Sequence, residues 1–191
     1  MLKLIIFDLD GVIFDTEKNV KLSWKKTQQK HGIKKKFSEY KKYIGLPFFE
    51  LLNKLEILYN HEKIQETYTI ESLKRNSTIK LFQNVKKIIK KLNNNYLTAV
   101  VTSKDLKRTG ILIKKYKLSF NYVSCPNHNL RGKPYPDQIN LVLKKMNIKK
   151  SQAIYVGDTK FDFLSAKRAK IKFIHAAYGF EKKNSKSQNS N

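Results

Sequence analysis

Two carboxylates interrupt an apolar run near the start of the chain, in the stretch KLIIFDLDGV. Asp8 and Asp10 are separated by one residue, and positions i and i+2 of a β-strand face the same side. Two acids this close repel each other and resist transfer out of water. A divalent cation would reverse that cost, because it favours the charged form of both groups. The pair therefore indicates either a solvated strand end or a metal-assisted site, with Gly11 allowing a tight turn beside the ligand.

Three later stretches carry side chains that suit the second interpretation. Thr102 and Ser103 end the run AVVTS and offer hydroxyl donors to a phosphoryl oxygen. Lys133, in RGKPYPD, places a point charge in a loop before a predicted helix. Asp158 and Asp162, in GDTKFD, add two acids one helical turn apart. Each has an ordinary explanation alone, as a helix cap or a surface lysine, but together they predict one phosphate-handling site.

The elements that must position these groups follow from hydrophobic patterns. Short apolar runs predict strands buried on both faces at residues 4–7, 97–102, 121–124, 153–157 and 173–177. Apolar stripes at helical spacing lie between them, at Phe82, Val85, Ile88, Ile89 and Leu92, at Leu106, Ile113 and Tyr116, and at Ile139, Val142, Leu143 and Met146. Strands that alternate with helices predict an α/β fold with a parallel sheet covered on both faces. Such sheets bind ligands at the carboxyl ends of their strands, where the polar groups fall.

One long segment breaks this alternation. Residues 16–80 contain no convincing strand, but helical patterns occur around Trp24, after Pro47 and over residues 61–74. We therefore predict a core of residues 1–15 and 81–180 and a helical insert of residues 16–80, with hinges near residues 15–16 and 79–80. Residues 181–191 contain no apolar side chain, which predicts a disordered tail.

Composition limits the function classes. The chain of 191 residues is 40% hydrophobic and 12% aromatic, enough for one domain, or one domain with a small insert. Its net charge of +25 raises the question of nucleic-acid binding, but the lysine pairs are scattered, so we expect the positive field to attract small anions instead. The single cysteine, Cys125, excludes an intramolecular disulfide, the four histidines show no metal-binding spacing, and no run is long enough to span a membrane. These features predict a soluble cytoplasmic protein.

The motifs resemble those of the haloacid dehalogenase superfamily, in the branch of phosphoglycolate phosphatase-like and β-phosphoglucomutase-like enzymes with a helical cap. The matching stretches are DLDGV at residues 8–12, Thr102 after its apolar run, Lys133 in GKPYPD, and GDTKFD at residues 157–162. They span the core from its first to its fourth strand, and the insert has the position and helical character of the family's cap. The resemblance implies a Rossmann-like parallel sheet with an inserted cap.

The resemblance also implies an activity, the Mg²⁺-dependent hydrolysis of a small phosphomonoester such as phosphoglycolate or a sugar phosphate. Asp8 would attack phosphorus and form an aspartyl-phosphate, and Asp10 would act first as general acid and then as general base. The metal would be held by the Asp8 carboxylate, the Asp10 backbone carbonyl and Asp158, with Asp162 supporting the site. The hydroxyls of Thr102 and Ser103 and the charge of Lys133 would hold the phosphoryl oxygens.

Other branches of the superfamily fit less well. Dehalogenases lack the second acid of the opening motif, so Asp10 argues against that activity. Sugar-phosphate mutases of the superfamily have a stretch like DGVIFDT, but they carry a histidine five residues after its last aspartate, where this chain has Val20. We therefore favour a phosphatase and keep a mutase or phosphotransferase as the alternative. A purely nucleic-acid-binding role is disfavoured, since a binder of phosphates has no need for clustered carboxylates.

The stretch YIGLPFFELL in the insert resembles the substrate loop of phosphoglycolate-phosphatase-like caps. On that reading Tyr43, Gly45 and Leu46 would face the leaving group of the substrate. The alternative, which the sequence leaves equally open, is that the loop only connects two helices. A cap that closes over the site would exclude bulk water and favour a small substrate over a phosphoprotein.

Overall fold

The computed structural model describes residues 1–127 and 129–181, so His128 and the predicted tail from residue 182 onward lie outside the described residues. The strands of the described residues are β1 Leu4–Phe7, β2 Phe14–Asp15, β3 Lys80–Leu81, β4 Leu97–Val101, β5 Tyr122–Ser124, β6 Ala153–Gly157 and β7 Lys172–His175. The α-helices are α1 Glu17–His31, α2 Phe37–Lys41, α3 Phe48–Lys54, α4 His61–Lys74, α5 Val85–Leu92, α6 Leu106–Tyr116, α7 Asp137–Lys145 and α8 Lys160–Ala169. No helix in these residues combines the length and apolar character needed to cross a bilayer.

Five of the strands form one parallel sheet in the order β5-β4-β1-β6-β7. The central strand β1 is buried on both faces, which explains its uninterrupted run of apolar residues. Ala99 and Tyr155, on the strands beside β1, belong with Leu4 and Ile6 to the buried cluster on one face of the sheet. The α/β fold with a parallel sheet, predicted from the sequence, is confirmed.

Helices α1 to α4 form the insert between the first and second strands of the sheet in chain order. Their shared apolar core centres on Trp24, which is fully buried and lies 4.5 Å from the ring of Tyr40. The indole N–H donates to the backbone oxygen of Lys35 at 3.2 Å, so the polar atom of the ring is paired as well. Pro47 stands immediately before α3, where its fixed φ suits the start of a helix.

A two-stranded antiparallel ribbon joins the insert to the core. Phe14 of β2 pairs with Leu81 of β3, and Asp15 pairs with Lys80. These strands could not be predicted from the sequence, because two residues are too few to show an alternating pattern. The positions predicted as hinges therefore lie in or next to a hydrogen-bonded ribbon.

Two residues of the predicted apolar stripes are exposed. Ile88 is 50% exposed and Leu106 is 69% exposed. In α6 the buried face is formed by Arg108, Thr109 and Leu112, so the stripe is rotated from the one that apolar residues alone indicated. The rotation turns Arg108, a charged residue, toward the interior.

Candidate active site

The strands deliver three of the predicted residues to one edge of the sheet. Asp8 follows β1, Thr102 follows β4 and Asp158 follows β6, and these strands are parallel neighbours. The Asp8 N–H donates to the oxygen of Val156 at 2.9 Å, which continues the β-ladder one residue past β1. Because the carboxyl ends of parallel strands meet at the same edge, the side chains converge there.

Lys133 is the centre of the arrangement. Its side chain is almost fully buried, and its Nζ lies 2.7 Å from Asp8 Oδ1 and 2.6 Å from Asp162 Oδ1. Burial opposes the charge on Lys133, but the two carboxylates outweigh it and raise the pKa of the ammonium above its usual range. The lysine therefore stays charged and fixes the orientation of the Asp8 carboxylate.

Asp162 is fully occupied by hydrogen bonds. Oδ1 accepts from the hydroxyl of Tyr155 at 2.7 Å in addition to Lys133, and Oδ2 accepts from the N–H of Thr159 at 3.0 Å and its hydroxyl at 2.6 Å. Burial opposes ionisation of Asp162, but Lys133 and these donors hold the pKa of the carboxyl below its usual value. Its geometry suits a group that holds Lys133 and the start of α8 in place.

Asp158 is only half satisfied. Its Oδ2 accepts from the N–H of Phe180 at 2.6 Å, whereas Oδ1 is buried and has no partner among the described residues. A Cβ added to Gly11 or Gly179 would lie 2.1 or 2.3 Å from Oδ2, so the backbone approaches this carboxylate at two glycines. Burial, together with Asp8 and Asp162, raises the pKa of Asp158 to about 9. Burial likewise raises the pKa of Asp8 to about 7.

These observations fit a divalent cation. One carboxylate oxygen from each of Asp8, Asp158 and Asp162 lies within 4.8 Å of the other two. Asp162 has no free oxygen, so Asp8 and the unpaired Oδ1 of Asp158 are the available side-chain ligands. Hard cations such as Mg²⁺ prefer carboxylate oxygens. Burial first, and then repulsion between the carboxylates, raises the pKa values of Asp8 and Asp158, and a cation here would offset both effects by favouring the charged forms.

The Asp10 side chain lies apart from the three clustered carboxylates. Its Oδ2 is 3.1 Å from the Nζ of Lys104, and its Oδ1 is buried without a hydrogen-bond partner in residues 1–127 and 129–181. Asp10 lines the cleft that leads to Asp8, so its carboxylate can reach a ligand there. Sequence reasoning missed Lys104, because one lysine among 40 basic residues carries no signal of its own.

The cleft lies between the sheet edge and the insert, and its unfilled volume, including the part open to solvent, is about 600 Å³. The core contributes Asp8, Asp10, Thr102, Ser103, Lys104, Arg108 and Lys133, and the insert contributes Val20, Tyr40, Ile44, Gly45, Leu46, Phe48, Leu51 and Tyr68. Gly45 and Leu46 line this cleft, and their predicted contact with the leaving group of the substrate stays a prediction. Tyr43 does not line the cleft; it packs against the apolar core of the insert.

The two predicted hydroxyls differ in their surroundings. The Thr102 oxygen accepts the N–H of Lys104 at 3.1 Å, which leaves its own proton available to a ligand. The Ser103 hydroxyl donates to the backbone oxygen of Gly45 at 2.7 Å, so it connects core and insert. Thr102 thus keeps the donor that a phosphoryl oxygen needs, whereas the donor of Ser103 is already in use.

Comparisons with known proteins identify the family of the chain. Residues 5–176 match the family model described as haloacid dehalogenase-like hydrolase. The pyrophosphatase PpaX of Oceanobacillus iheyensis is 21% identical over 187 residues, which cover 96% of this chain and 87% of that protein. The phosphoglycolate phosphatase of Aquifex aeolicus is 26% identical over 207 residues, with 96% and 89% covered.

The fold is also shared with solved structures. A hydrolase from Pseudomonas syringae superposes with a TM-score of 0.84 at 22% identity, over 91% of this chain and 84% of that one. The family match covers the core motifs and the insert between them. The chain belongs to the haloacid dehalogenase-like hydrolase family.

Proposed function

We propose that the protein hydrolyses a small phosphate ester or anhydride in a Mg²⁺-dependent reaction that passes through an aspartyl-phosphate on Asp8. The observation that carries the proposal is the position of Asp8: a buried carboxylate at the base of a cleft, held by Lys133, with Thr102 and Asp10 also lining the cleft. The names of the relatives, a pyrophosphatase and a phosphoglycolate phosphatase, support substrates of this size.

The proposed reaction has two steps that use the same residues. An oxygen of Asp8 attacks phosphorus while the bond to the leaving oxygen breaks, and Asp10 gives that oxygen its proton. Asp10 then accepts a proton from the water that attacks the phosphorus of the aspartyl-phosphate, and Asp8 is regenerated. Throughout, the Thr102 hydroxyl and Lys133 hold the phosphoryl oxygens.

Asp8, Asp158 and the backbone carbonyl of Asp10 would hold the metal, with Asp162 supporting them through Lys133 and α8. The bound cation would offset the negative charge shared by the phosphoryl group and the acids, and so keep Asp8 ionised near neutral pH. The raised pKa values of Asp8 and Asp158 support this requirement.

The insert would act as a cap. It covers the cleft with the mainly apolar residues Val20, Ile44, Leu46, Phe48 and Leu51 and the aromatic residues Tyr40 and Tyr68. Closure of such a surface over Asp8 would exclude bulk water before hydrolysis.

Val20 lines the cleft at the position where the sugar-phosphate mutases carry histidine, and an aliphatic side chain cannot transfer a proton. Its presence favours the phosphatase over the mutase. The cytoplasmic location inferred from the sequence stays a prediction.

The proposal is tested by phosphate release from a panel of small phosphate compounds with Mg²⁺ and with EDTA. Asp8→Asn removes the nucleophile but keeps the shape of the side chain, and we expect turnover to fall by about 10³-fold or more. Circular dichroism of the variant checks that the fold is retained. Equal turnover by wild type and variant would exclude Asp8 as nucleophile, and formation of an isomer without free phosphate would favour the mutase.

A further inference from the structure

One wall of the cleft carries two buried cations that the proposed reaction does not use. Lys104 lies just before α6 and Arg108 lies in its first turns, and both line the cleft. Their side chains are 5% and 10% exposed. Basic side chains are seldom this buried unless an anion accounts for their charge, so the groups that face them identify what the wall can bind.

Protein groups use only part of the donor capacity of these two side chains. Lys104 Nζ is 3.1 Å from one oxygen of Asp10, and Arg108 Nε pairs with Asp105. In the part of the chain that the structure describes, neither cation forms an ion pair with another carboxylate. An ammonium has three N–H donors and a guanidinium has five, so donors remain for a ligand in the cleft.

The insert completes this wall and holds Arg108 in place. The guanidinium carbon lies 5.4 Å from the centroid of the Tyr68 ring, and Tyr40 lies 6.2 Å from Tyr68. A guanidinium over an aromatic face keeps its planar fork exposed at the edges, the geometry that matches a carboxylate or a phosphoryl group. Burial raises the pKa of both phenols, so they stay neutral and add no negative charge to this wall.

The phosphoryl end of the cleft already has its own cation. Lys133 contacts Asp8 and Asp162, beneath the position where the phosphorus must lie. Lys104 contacts Asp10, the residue that would protonate the leaving oxygen. The two additional cations therefore belong to the leaving-group side of the substrate.

We propose that Lys104 and Arg108 form a subsite for a second anionic group, carried by the leaving group of the substrate. The inference rests on the proposed function and narrows it: the substrate class is a small phosphate compound with a second anion, either a carboxylate or a second phosphoryl group, rather than a phosphorylated neutral alcohol or sugar. The contacts would be charge-assisted hydrogen bonds from the guanidinium and the ammonium.

The test uses substrate pairs that differ in the second anion. Phosphoglycolate is paired with 2-hydroxyethyl phosphate, and pyrophosphate is paired with methyl phosphate. We expect the wild-type kcat/KM to be at least tenfold higher for the charged member of one pair, and that pair identifies the anion as carboxylate or phosphoryl. In Arg108→Gln this preference should fall roughly 10- to 100-fold, the value of a hydrogen bond to a charged group.

Two control variants separate the subsite from general charge and folding effects. Lys107→Gln removes one positive charge from an exposed position of the same helix and should leave the preference unchanged. Arg108→Lys keeps the charge but not the fork, so it should restore part of the preference. Thermal unfolding of each variant shows whether the fold is retained.

The outcomes distinguish the subsite from the activity. Two results would overturn the subsite without contradicting the phosphatase activity. One is phosphate release from the panel with no preference for either charged compound. The other is an equal loss of kcat/KM on both compounds of a pair in Arg108→Gln. Absence of phosphate release from every compound would overturn the proposed function. In that case ligand binding to the Asp8→Asn variant still tests the subsite, through the rise in melting temperature that each compound of a pair causes. A larger rise with the charged compound, lost when Arg108→Gln is added to the variant, supports the subsite. Equal rises with both compounds refute it.

Discussion

At the scale of single residues, four aspartates of one site differ because their partners differ. Both oxygens of Asp162 accept hydrogen bonds, whereas one oxygen of Asp158 has no partner within the described part of the chain. Asp8 pairs with Lys133, and Asp10 pairs with Lys104. Burial raises the pKa of Asp158 to about 9, whereas Lys133 and hydrogen bonds keep that of Asp162 low. Equal side chains thus acquire unequal roles from their surroundings.

The unpaired oxygen of Asp158 leads to a prediction on metal binding that does not depend on turnover. Mg²⁺ at 100 times its Kd should stabilise the wild-type fold by about 2.7 kcal/mol. For a chain of this length that corresponds to a rise of about 5–10 °C in melting temperature relative to EDTA. In Asp158→Asn the rise should be largely lost, because the amide oxygen carries no charge for the cation.

Calorimetry or dye-based melting of both proteins, with and without Mg²⁺, makes the measurement. In EDTA the variant should melt close to the wild type, since an amide can still accept the N–H of Phe180 and removes a buried acid. The same Mg²⁺-dependent rise in both proteins would show that the ion binds elsewhere.

At the scale of elements, the loop between α2 and α3 joins the insert to the core at three places. A Cβ on Gly45, which has φ of +103°, would lie 2.7 Å from the Thr159 hydroxyl, and one on Gly132 would lie 2.3 Å from Pro47. The Ser103 hydroxyl donates to the Gly45 oxygen. These contacts hold the loop against both Thr159, at the N-terminus of α8, and the loop that carries Lys133. The position of the insert therefore depends on residues in or beside two of the sequence motifs.

Two roles are possible for Ser103: a hydrogen bond to a phosphoryl oxygen, as the sequence predicts, or a connection between core and insert, as its contact with Gly45 indicates. If the Ser103 hydroxyl connects insert and core, Ser103→Ala should weaken the packing of the insert against the core by about 0.5–1.5 kcal/mol. That loss should lower kcat/KM roughly two- to tenfold and speed proteolysis of the insert. Ser103→Thr keeps a hydroxyl and serves as the control. A loss of 100-fold or more in kcat with unchanged proteolysis would instead support the direct phosphoryl contact predicted from the sequence.

At the scale of the whole molecule, the net charge of +25 provides a field rather than a site. Four of the 15 acidic residues, Asp8, Asp10, Asp158 and Asp162, belong to the candidate site, and the 40 basic residues are spread over the chain. Such a field attracts small anions from solution and is screened by salt over about 10 Å at 0.1 M ionic strength. Substrate capture, and not the fold, is the property that this charge should affect.

Raising the ionic strength from 20 to 200 mM should therefore lower kcat/KM roughly three- to tenfold, mainly through KM. Steady-state kinetics over a KCl series makes the measurement, with the melting temperature at each salt concentration as the control for folding. A constant kcat/KM across the series would show that the surface charge has no part in substrate capture.

The sequence and the structure agree best where a local pattern suffices. β1 is a short, wholly apolar run, and its strand and the acid that follows it were predicted together. The ribbon of β2 and β3 was missed because pairing, not pattern, defines so short a strand. Leu106 was misplaced because the sheet, which α6 packs against, decides which face of the helix is buried, and that face includes Arg108.

The sequence by itself determined the five strands of the parallel sheet and their alternation with helices, the family, and the acids, hydroxyls and lysine of the motifs, since residue type and spacing along the chain carry that information. Only the tertiary structure decided which partners, and therefore which properties, each of these groups has. It placed Lys133 between Asp8 and Asp162, left one oxygen of Asp158 free, and engaged Ser103 with the insert. It also brought Lys104 and Arg108 into the cleft. Partners, burial and charge compensation arise between residues distant in the chain, and no single stretch of sequence contains them.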